Sequence, residues 1–277
     1  MKVEELNSGL QQLIVSLYKQ GISVNTIAKN ERIPFSSPHS ILKVLRMNNI
    51  PIRSRAGYRQ EYKEDFFEVI DLESKAYFLG LLITDGYVIL REKEHSQPTI
   101  GIELHSNDIH ILQTFKKELE SPNKVETSRQ RKDGRIHSRF RIHSSIMANS
   151  LKKYGVVPNK TQTTFLPFLE TGMMPHLIRG ILDGDGWIQS KGIKKGSKRR
   201  IGFCSASEQF IYQLRGFLNK ELGTYLIKVQ KRKKDKSYLY QLLFCGEKDV
   251  NTIINYLYKD ATVYLTRKHD LIKDLIS

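Results

Sequence analysis

The sequence predicts an α+β protein built from two pseudo-symmetric αββαββα repeats behind a small all-α N-terminal domain. Three observations predict it: self-similarity at a period of about 100 residues, helical apolar spacing through the first 50, and alternating basic strands at matching places in both repeats. The 277 residues include 45 Lys plus Arg against 29 Asp plus Glu, a net charge of +16. A pI near 9.7 implies a polyanionic partner, nucleic acid or an anionic membrane surface foremost. Apolar residues at 39% suffice for a packed core and exclude wholesale disorder. The longest apolar run, Ala76 to Ile83, has 8 residues, against the roughly 18–20 that span a bilayer. The opening MKVEELNSGL lacks the basic-then-apolar build of a secretory signal. An intracellular protein, cytoplasmic or organellar and not membrane-bound, is therefore expected. Cys204 and Cys245 cannot alone make a disulfide framework or a four-ligand zinc site.

Residues 1–50 read as three short helices. Leu10, Leu13, Ile14 and Leu17 form a helical stripe that Gly21 ends, and Ser23 caps a second helix burying Ile27 and Ala28. Ser36 or Ser37 with Pro38 opens a third, with Ile41, Val44 and Leu45 inward and Lys43 and Arg46 outward. This pattern suits a helix-turn-helix whose last helix enters a major groove, or an ordinary three-helix bundle with a solvated basic face. Residues 51–72, with Arg53, Arg55, Arg59 and Lys63, read as a basic linker, either an arm along a phosphate backbone or a solvated tether.

The rest divides into repeats at 73–161 and 162–277. YFLGLLITDGYV (Tyr77–Val88) matches LIRGILDGDGWI (Leu177–Ile188), which puts Asp85 and Asp185 at 185 − 85 = 100 residues apart. Downstream, TIGIELHSNDIHILQTFKKEL matches RIGFCSASEQFIYQLRGFLNKEL, and each copy continues through a basic alternating stretch to an apolar helix. Two such units suggest a saddle whose sheets face one ligand, a form that suits the approximate twofold symmetry of a DNA duplex.

Both motif copies are apolar helices that stop at Asp-Gly. Gly80 and Gly180 lie mid-helix, where glycine costs about 1 kcal/mol against alanine, so they imply close approach of two backbones. Gly86 and Gly186 are expected to provide a left-handed turn at each helix end. Helices packed side by side would bring Asp85 and Asp185 together. Two carboxylates that repel each other at the negative ends of two helix dipoles require a cation, and oxygen ligands favour Mg²⁺ completed by water and phosphate oxygens. A divalent metal between carboxylates and a phosphate is an arrangement for phosphodiester hydrolysis.

Phe78 to Gly86 (FLGLLITDG) and Ile178 to Gly186 (IRGILDGDG) resemble the two signature motifs of the LAGLIDADG homing endonucleases in single-chain form. The resemblance runs from about Phe67 to Lys268. It implies a monomer with internal pseudo-twofold symmetry that cuts both strands of a long DNA site and leaves 3′ overhangs, promoting copying of its own gene. The family's metal-binding acid falls on Asp85 and Asp185, with Thr84 and Gly184 beside them, and the cofactor implied is Mg²⁺ or Mn²⁺. The sixth motif letter is Asp183 in one copy and Ile83 in the other, so an acid there is not expected to be essential. A basic residue that polarises solvent at the scissile phosphate would be Lys160 in the first repeat and Lys268 (or Arg267) in the second, unless these are surface lysines. Where relatives often carry Gln on the second strand, this chain has Glu103 and Cys204.

The expected DNA surface is basic in both repeats. Copy one offers Arg129, Arg131, Arg135, Arg139 and Arg141; copy two offers Lys191, Lys194, Lys195, Lys198, Arg199, Arg200, Lys231, Arg232 and Lys233. Arg139 and Arg141 alternate on a strand and so share a sheet face from which they can read guanine edges, whereas lysines at hairpin tips suit phosphate. The first hairpin of copy one, REKEHSQP, is nearly neutral, so the two half-sites differ and the target is asymmetric. A calcium loop at DGDGWI fails on Trp187 and Lys194. The histidines form no metal cluster, and Trp187 is read as a core or sheet-edge aromatic. Competing functions are a DNA-binding transcriptional regulator of the same fold that does not cut, which both aspartates argue against, and an RNA maturase. An intein is not expected, for want of the residues that protein splicing uses at the chain ends.

Overall fold

The computed structural model describes residues 6–34, 37–52, 62–90, 96–128, 134–189, 199–223, 228–234 and 237–276. Two compact units result, Met1–Gln60 and Glu61–Ser277.

The first unit has α1 (Ser8–Lys19), α2 (Val24–Ile27) and α3 (Pro38–Met47). Each starts where a side-chain oxygen meets an otherwise unpaired backbone N–H: Asn7 accepts from Leu10, Ser23 from Thr26 and Ser37 from His39. Gly21 takes φ +90°, the left-handed stop after α1. Ile14, Tyr18, Ile27, Ile41, Val44 and Leu45 close the core, while Lys43 and Arg46 stay exposed on α3.

In the second unit the order is α4 (Glu73–Thr84), β1 (Gly86–Ile89), β2 (Thr99–His105), α5 (Ile109–Glu118), β3 (Glu126–Thr127), β4 (His137–His143) and α6 (Ser145–Lys153). The order recurs as α7 (Met174–Asp185), β5 (Trp187–Gln189), β6 (Arg200–Ser205), α8 (Glu208–Leu222), β7 (Lys228–Lys234), β8 (Ser237–Cys245) and α9 (Glu247–Tyr258), and α10 (Thr266–Ile276) follows. Each repeat forms an antiparallel four-stranded sheet, β1-β2-β4-β3 and β5-β6-β8-β7. Strand alternation sorts the faces. Ile100, Ile102 and Leu104 stand opposite Ile142, Phe140 and Ser138 and face the helices; Ile201 and Phe203 do the same opposite Phe244 and Leu242.

The linker expected over 51–72 ends sooner than its charge suggested. Phe66, Phe67 and Ile70 are buried in the core of the second unit, the Lys63 N–H donates to the Leu119 carbonyl at 3.0 Å, and Tyr62 donates to the His143 carbonyl at 2.8 Å. A local window of charge does not register that three apolar side chains have a core to enter. Arg53, Arg55 and Arg59 lie outside the described residues.

The two repeats meet where α4 crosses α7. Every residue of α4 from Ala76 to Ile83 is buried, as befits a helix apolar on all sides. A Cβ on Gly80 would stand 2.1 Å from the Leu177 carbonyl oxygen, and one on Gly180 would stand 2.1 Å from that of Tyr77. The glycines therefore mark backbone-to-backbone contact. Gly86 and Gly186 correct the expectation of a left-handed turn. Gly186 is extended at φ −90°, ψ 169°, and Gly86 is not at positive φ. Glycine is required there because a Cβ would lie 2.5 Å from the carbonyl oxygen of Leu82 or Leu182.

Gly80→Ala should destabilise the protein by about 2–3 kcal/mol, since two backbones must separate. Gly216 in α8 has nothing within 4 Å of a Cβ position, so Gly216→Ala should stabilise by up to about 1 kcal/mol. Urea unfolding of the two variants checks both signs; equal effects would contradict the tight crossing.

Candidate active site and nucleic-acid interface

The crossing sets where the motif carboxylates emerge. Asp85 is the residue at which α4 ends, and Asp185 is the last residue of α7. A Cβ on Gly184 would lie 1.9 Å from Thr84 Oγ1 and 3.2 Å from Asp85 Oδ2, so the two ends nearly touch. Burial, and then the charge of Asp185, push the Asp85 carboxyl up to about 6, against the pull of Lys268 and Lys160. Asp185 keeps an exposed edge, but crowding by protein raises it too, offset by the same lysines. A pocket of about 50 Å³ opens beside Asp185, lined also by Thr84, Lys160, Cys204 and Ser205 among others.

Lys160 and Lys268 are not surface lysines: they are 8% and 4% exposed. Lys160 Nζ donates to the carbonyls of Gly86 and, at 3.5 Å, Thr84. Lys268 Nζ donates to the carbonyls of Leu182 (2.5 Å), Asp183 (2.7 Å) and Gly186 (2.6 Å). Each ammonium thus caps the end of its own repeat's motif helix, where unpaired carbonyls concentrate negative charge. Burial lowers both, Lys268 to about 8, while the aspartates act in the opposite direction. An ammonium has three donors. Those of Lys268 all meet carbonyls, whereas Lys160, with two carbonyls, retains one for the pocket. Arg267, the alternative to Lys268, instead grips Asp108 through Nε at 3.0 and 3.1 Å.

Asp183, absent from the first copy, serves architecture. It is fully buried and accepts from Tyr77 Oη (2.8 Å) and from the Leu265 N–H (2.7 Å), one residue before α10. Thr84 uses its hydroxyl on the Gly80 and Leu81 carbonyls, so its remaining oxygen toward the site is its carbonyl, which Lys160 approaches. Among the described residues no group of three or more His, Cys, Asp or Glu gathers to hold a metal. The donor set at the motif ends is therefore two carboxylates and nearby carbonyls. Two carboxylates raised by burial, Asp85 also by the charge of Asp185, fit a hard divalent cation whose shell water and phosphate complete.

The basic residues separate into groups. Arg129, Arg131, Lys191, Lys194, Lys195 and Lys198 lie outside the described residues. Arg135 and Arg200 are exposed, and Arg199 is half-buried. Arg139 and Arg141 pair with Glu103 and Gly101 on the sheet face away from the helices. Arg232 stands opposite Leu239 on the corresponding face of the second sheet, beside the rung of Gln230 and Gln241. Lys231 and Lys233 correct the expectation: they stand opposite Tyr240 and Tyr238, on the helix side, and Lys231 Nζ lies 4.2 Å from the Tyr238 ring centre. Strand alternation turns neighbouring residues to opposite faces, so the run Lys231-Arg232-Lys233 cannot present all three to one ligand. Two residues of this face escaped sequence reasoning. Gln241 from β8 donates to Cys204 Sγ at 3.4 Å, placing an amide beside the position where β6 lacks one; its signal was a polar residue inside YLYQLLF. Glu126 sits among the arginines. Trp187 and Tyr87 lie against Gly202 and Gly101, whose missing side chains make room for the rings.

Residues 175–257 match the family described as LAGLIDADG-like domain. The fold is similar to that of the LAGLIDADG homing endonuclease I-GzeII in complex with its DNA target, at 12% identity and a TM-score of 0.51, covering 72% of this chain and 88% of that one. The meganuclease I-AabMI bound to uncleaved DNA aligns at 12% identity and a TM-score of 0.46, covering 72% and 87%. I-LtrWI, a LAGLIDADG homing endonuclease bound to target DNA, aligns at 9% identity and a TM-score of 0.47, covering 77% and 90%. Comparison with curated proteins finds no match. Two repeats whose motif helices cross and end in paired aspartates are the arrangement that the resemblance of the two motifs implies. The chain thus matches the LAGLIDADG-like domain over residues 175–257 and shares the two-repeat fold of the I-GzeII structure.

The Asp85 carboxyl sits at about 6 in the fold, above the ordinary 3.8. Below that ordinary value both folded and unfolded states hold the proton; as pH rises the unfolded chain releases it first, so stability falls between about 4 and 6. Without divalent metal, Asp85→Asn should therefore stabilise the chain by on the order of 1 kcal/mol at pH 7 and by nothing near pH 3.5, as read by urea unfolding at both pH values. Lys268→Met, which removes the ammonium from three carbonyls, of which that of Leu182 keeps a backbone donor in the Gly186 N–H at 2.9 Å, should lower stability by about 3 kcal/mol. An unchanged midpoint would contradict the capping role.

Proposed function

We propose that the chain is a site-specific endonuclease of double-stranded DNA that depends on Mg²⁺ or Mn²⁺. The observation that carries this reading is the convergence of Asp85 and Asp185 at the ends of two crossed helices, each end capped by a buried lysine. The metal would be held by Asp85 and Asp185, with Thr84 and Gly184 beside them. When bound, it supplies positive charge to the phosphate oxygens and acidifies a coordinated water.

The chain's own groups have separate tasks. The aspartates, Asp85 crowded by protein and by the charge of Asp185, stay ionised most readily when a cation lies between them. Lys160 has a donor left for a phosphate oxygen or for water in the pocket; Lys268 keeps the α7 end rigid and positive. Gln241, next to Cys204, can orient water from the neighbouring strand. The sheet faces carrying Arg139, Arg141, Arg200 and Arg232 would grip a long duplex in the major groove. Because those faces differ, the target is asymmetric and a single chain suffices. Residues 1–50 would act as a helix-turn-helix on flanking DNA, with Lys43 and Arg46 toward the backbone. The regulator reading requires these carboxylates to be idle despite the cost of holding them together.

Incubation with a diverse DNA library, with Mg²⁺ or with EDTA, followed by sequencing of new ends, tests the reading. Discrete Mg²⁺-dependent ends are expected. Asp85→Asn and Asp185→Asn should each reduce cutting by at least about 10³-fold while leaving binding equal or tighter. Cutting that survives either substitution removes this mechanism, and DNA retention without ends under either metal favours the regulator. Lys160→Met should slow cutting by about 10²-fold at unchanged affinity.

A further inference from the structure

Two acidic residues stand among the cations expected to read DNA: Glu103, opposite Arg139, and Glu126, which bonds both Arg139 and Arg141. Glu126, on the short edge strand β3, pairs with Arg139 across the ladder. It accepts from Arg139 Nε at 2.8 Å and from Arg141 Nη2 at 2.8 and 3.0 Å. All three side chains are partly exposed, at 47% for Glu126, 42% for Arg139 and 35% for Arg141. The two guanidinium groups hold the Glu126 carboxyl below its ordinary range, so it is ionised at neutral pH.

A carboxylate here weakens attraction to phosphate, and exposed ion pairs contribute little to stability. Its geometry suits another task. Arg139 is bound through Nε, at the side of its planar fork, and this leaves the paired Nη edge directed away from the carboxylate. Two parallel N–H groups are what guanine O6 and N7 accept. A guanidinium already fixed by a carboxylate loses less rotational freedom on binding than a free one. The second repeat supplies the contrast at the same rung. Glu103, Arg139 and Glu126 are replaced there by Cys204, Gln241 and Gln230, with no charge among them.

We propose that Glu126 is a specificity-determining positioning residue, which holds Arg139 and Arg141 so that Arg139 reads a guanine in the half-site of the first repeat only. The inference rests on the DNA-binding reading above and adds which base is read, from which repeat, and by what device. A uniformly cationic face would bind duplexes of any sequence; the buttressed pair gives up part of that affinity for discrimination.

The full chain in EDTA is used to select from a random duplex pool, and affinities for the selected site are then measured with each base at the guanine position. Wild type should prefer guanine there by about tenfold or more. Arg139→Gln should abolish that preference and leave other positions unchanged. Glu126→Gln should lower it at least about fivefold while tightening binding to random duplex, because a negative charge is gone. Equal unfolding midpoints keep these exposed substitutions interpretable, and Glu126→Asp, which keeps the charge, should restore part of the preference. Uniform tightening by Glu126→Gln with guanine preference intact overturns the proposal while DNA binding stands, as does a selected site with no base sensitive to Arg139. Enrichment of no duplex overturns the DNA-binding reading and this inference with it.

Discussion

Contact between two backbones at Gly80 and Gly180 is the constraint from which the rest of the second unit follows. With a Cβ position 2.1 Å from the partner's carbonyl, no other residue lets α4 and α7 lie this close. Their closeness joins the cores of both repeats into one cluster. It also delivers two carboxylates, with Gly184 against Thr84, to a place where Asp85 is crowded by protein and Asp185 keeps an exposed edge. The site is thus electrostatically costly by construction, and the buried lysines offset the cost from behind. Each closes the carbonyl end of one motif helix, placing positive charge within the protein while the carboxylates face outward.

The pseudo-symmetry is broken where stability, not chemistry, requires it. In α4 the crossing helix is wholly apolar; in α7 it carries Arg179 and Asp183, both fully buried. Arg179 donates to the Leu257 and Val263 carbonyls at 2.7 and 2.9 Å and pairs with Glu73 from the first repeat. Glu73 in turn accepts from the Thr262 and Val263 N–H groups. Asp183 anchors the start of α10 through Leu265. These buried charges are satisfied on several sides, the condition under which such groups are tolerated. Together they fix the segment from which Lys268 reaches the end of α7, and removal of one member would leave the others unpaired.

The sheets diverge in a different way. Both repeats keep glycine under an aromatic ring, Tyr87 on Gly101 and Trp187 on Gly202, so the strand nearest the carboxylates has the same shape in each. One rung further, the first sheet carries an arginine pair on a carboxylate and the second carries amides beside a thiol. A common scaffold near the carboxylates and different side chains beyond it leave the two sheet faces chemically distinct.

Sequence by itself determined the repeat, the two motif helices, the glycines of the crossing and the aspartates they deliver. These are properties of spacing and residue type, which survive in one dimension: a periodic apolar run, a glycine at the same place twice, an acid at each end. Caps at Ser23 and Ser37 were legible for the same reason, because they act within one turn. Only the tertiary structure decided matters that depend on which atoms meet in space. The lysines at 160 and 268 could be site residues or surface residues in the chain; they fold back to helix ends 74 and 82 residues away. Gly86 and Gly186 looked like turn formers but are needed for clearance from Leu82 and Leu182. Lys231 and Lys233 look like neighbours of Arg232, but strand alternation under a fixed register sends them to the other face. Glu126 reaches both arginines only through the pairing of β3 with β4. Register and packing are collective, and no local window of sequence contains them.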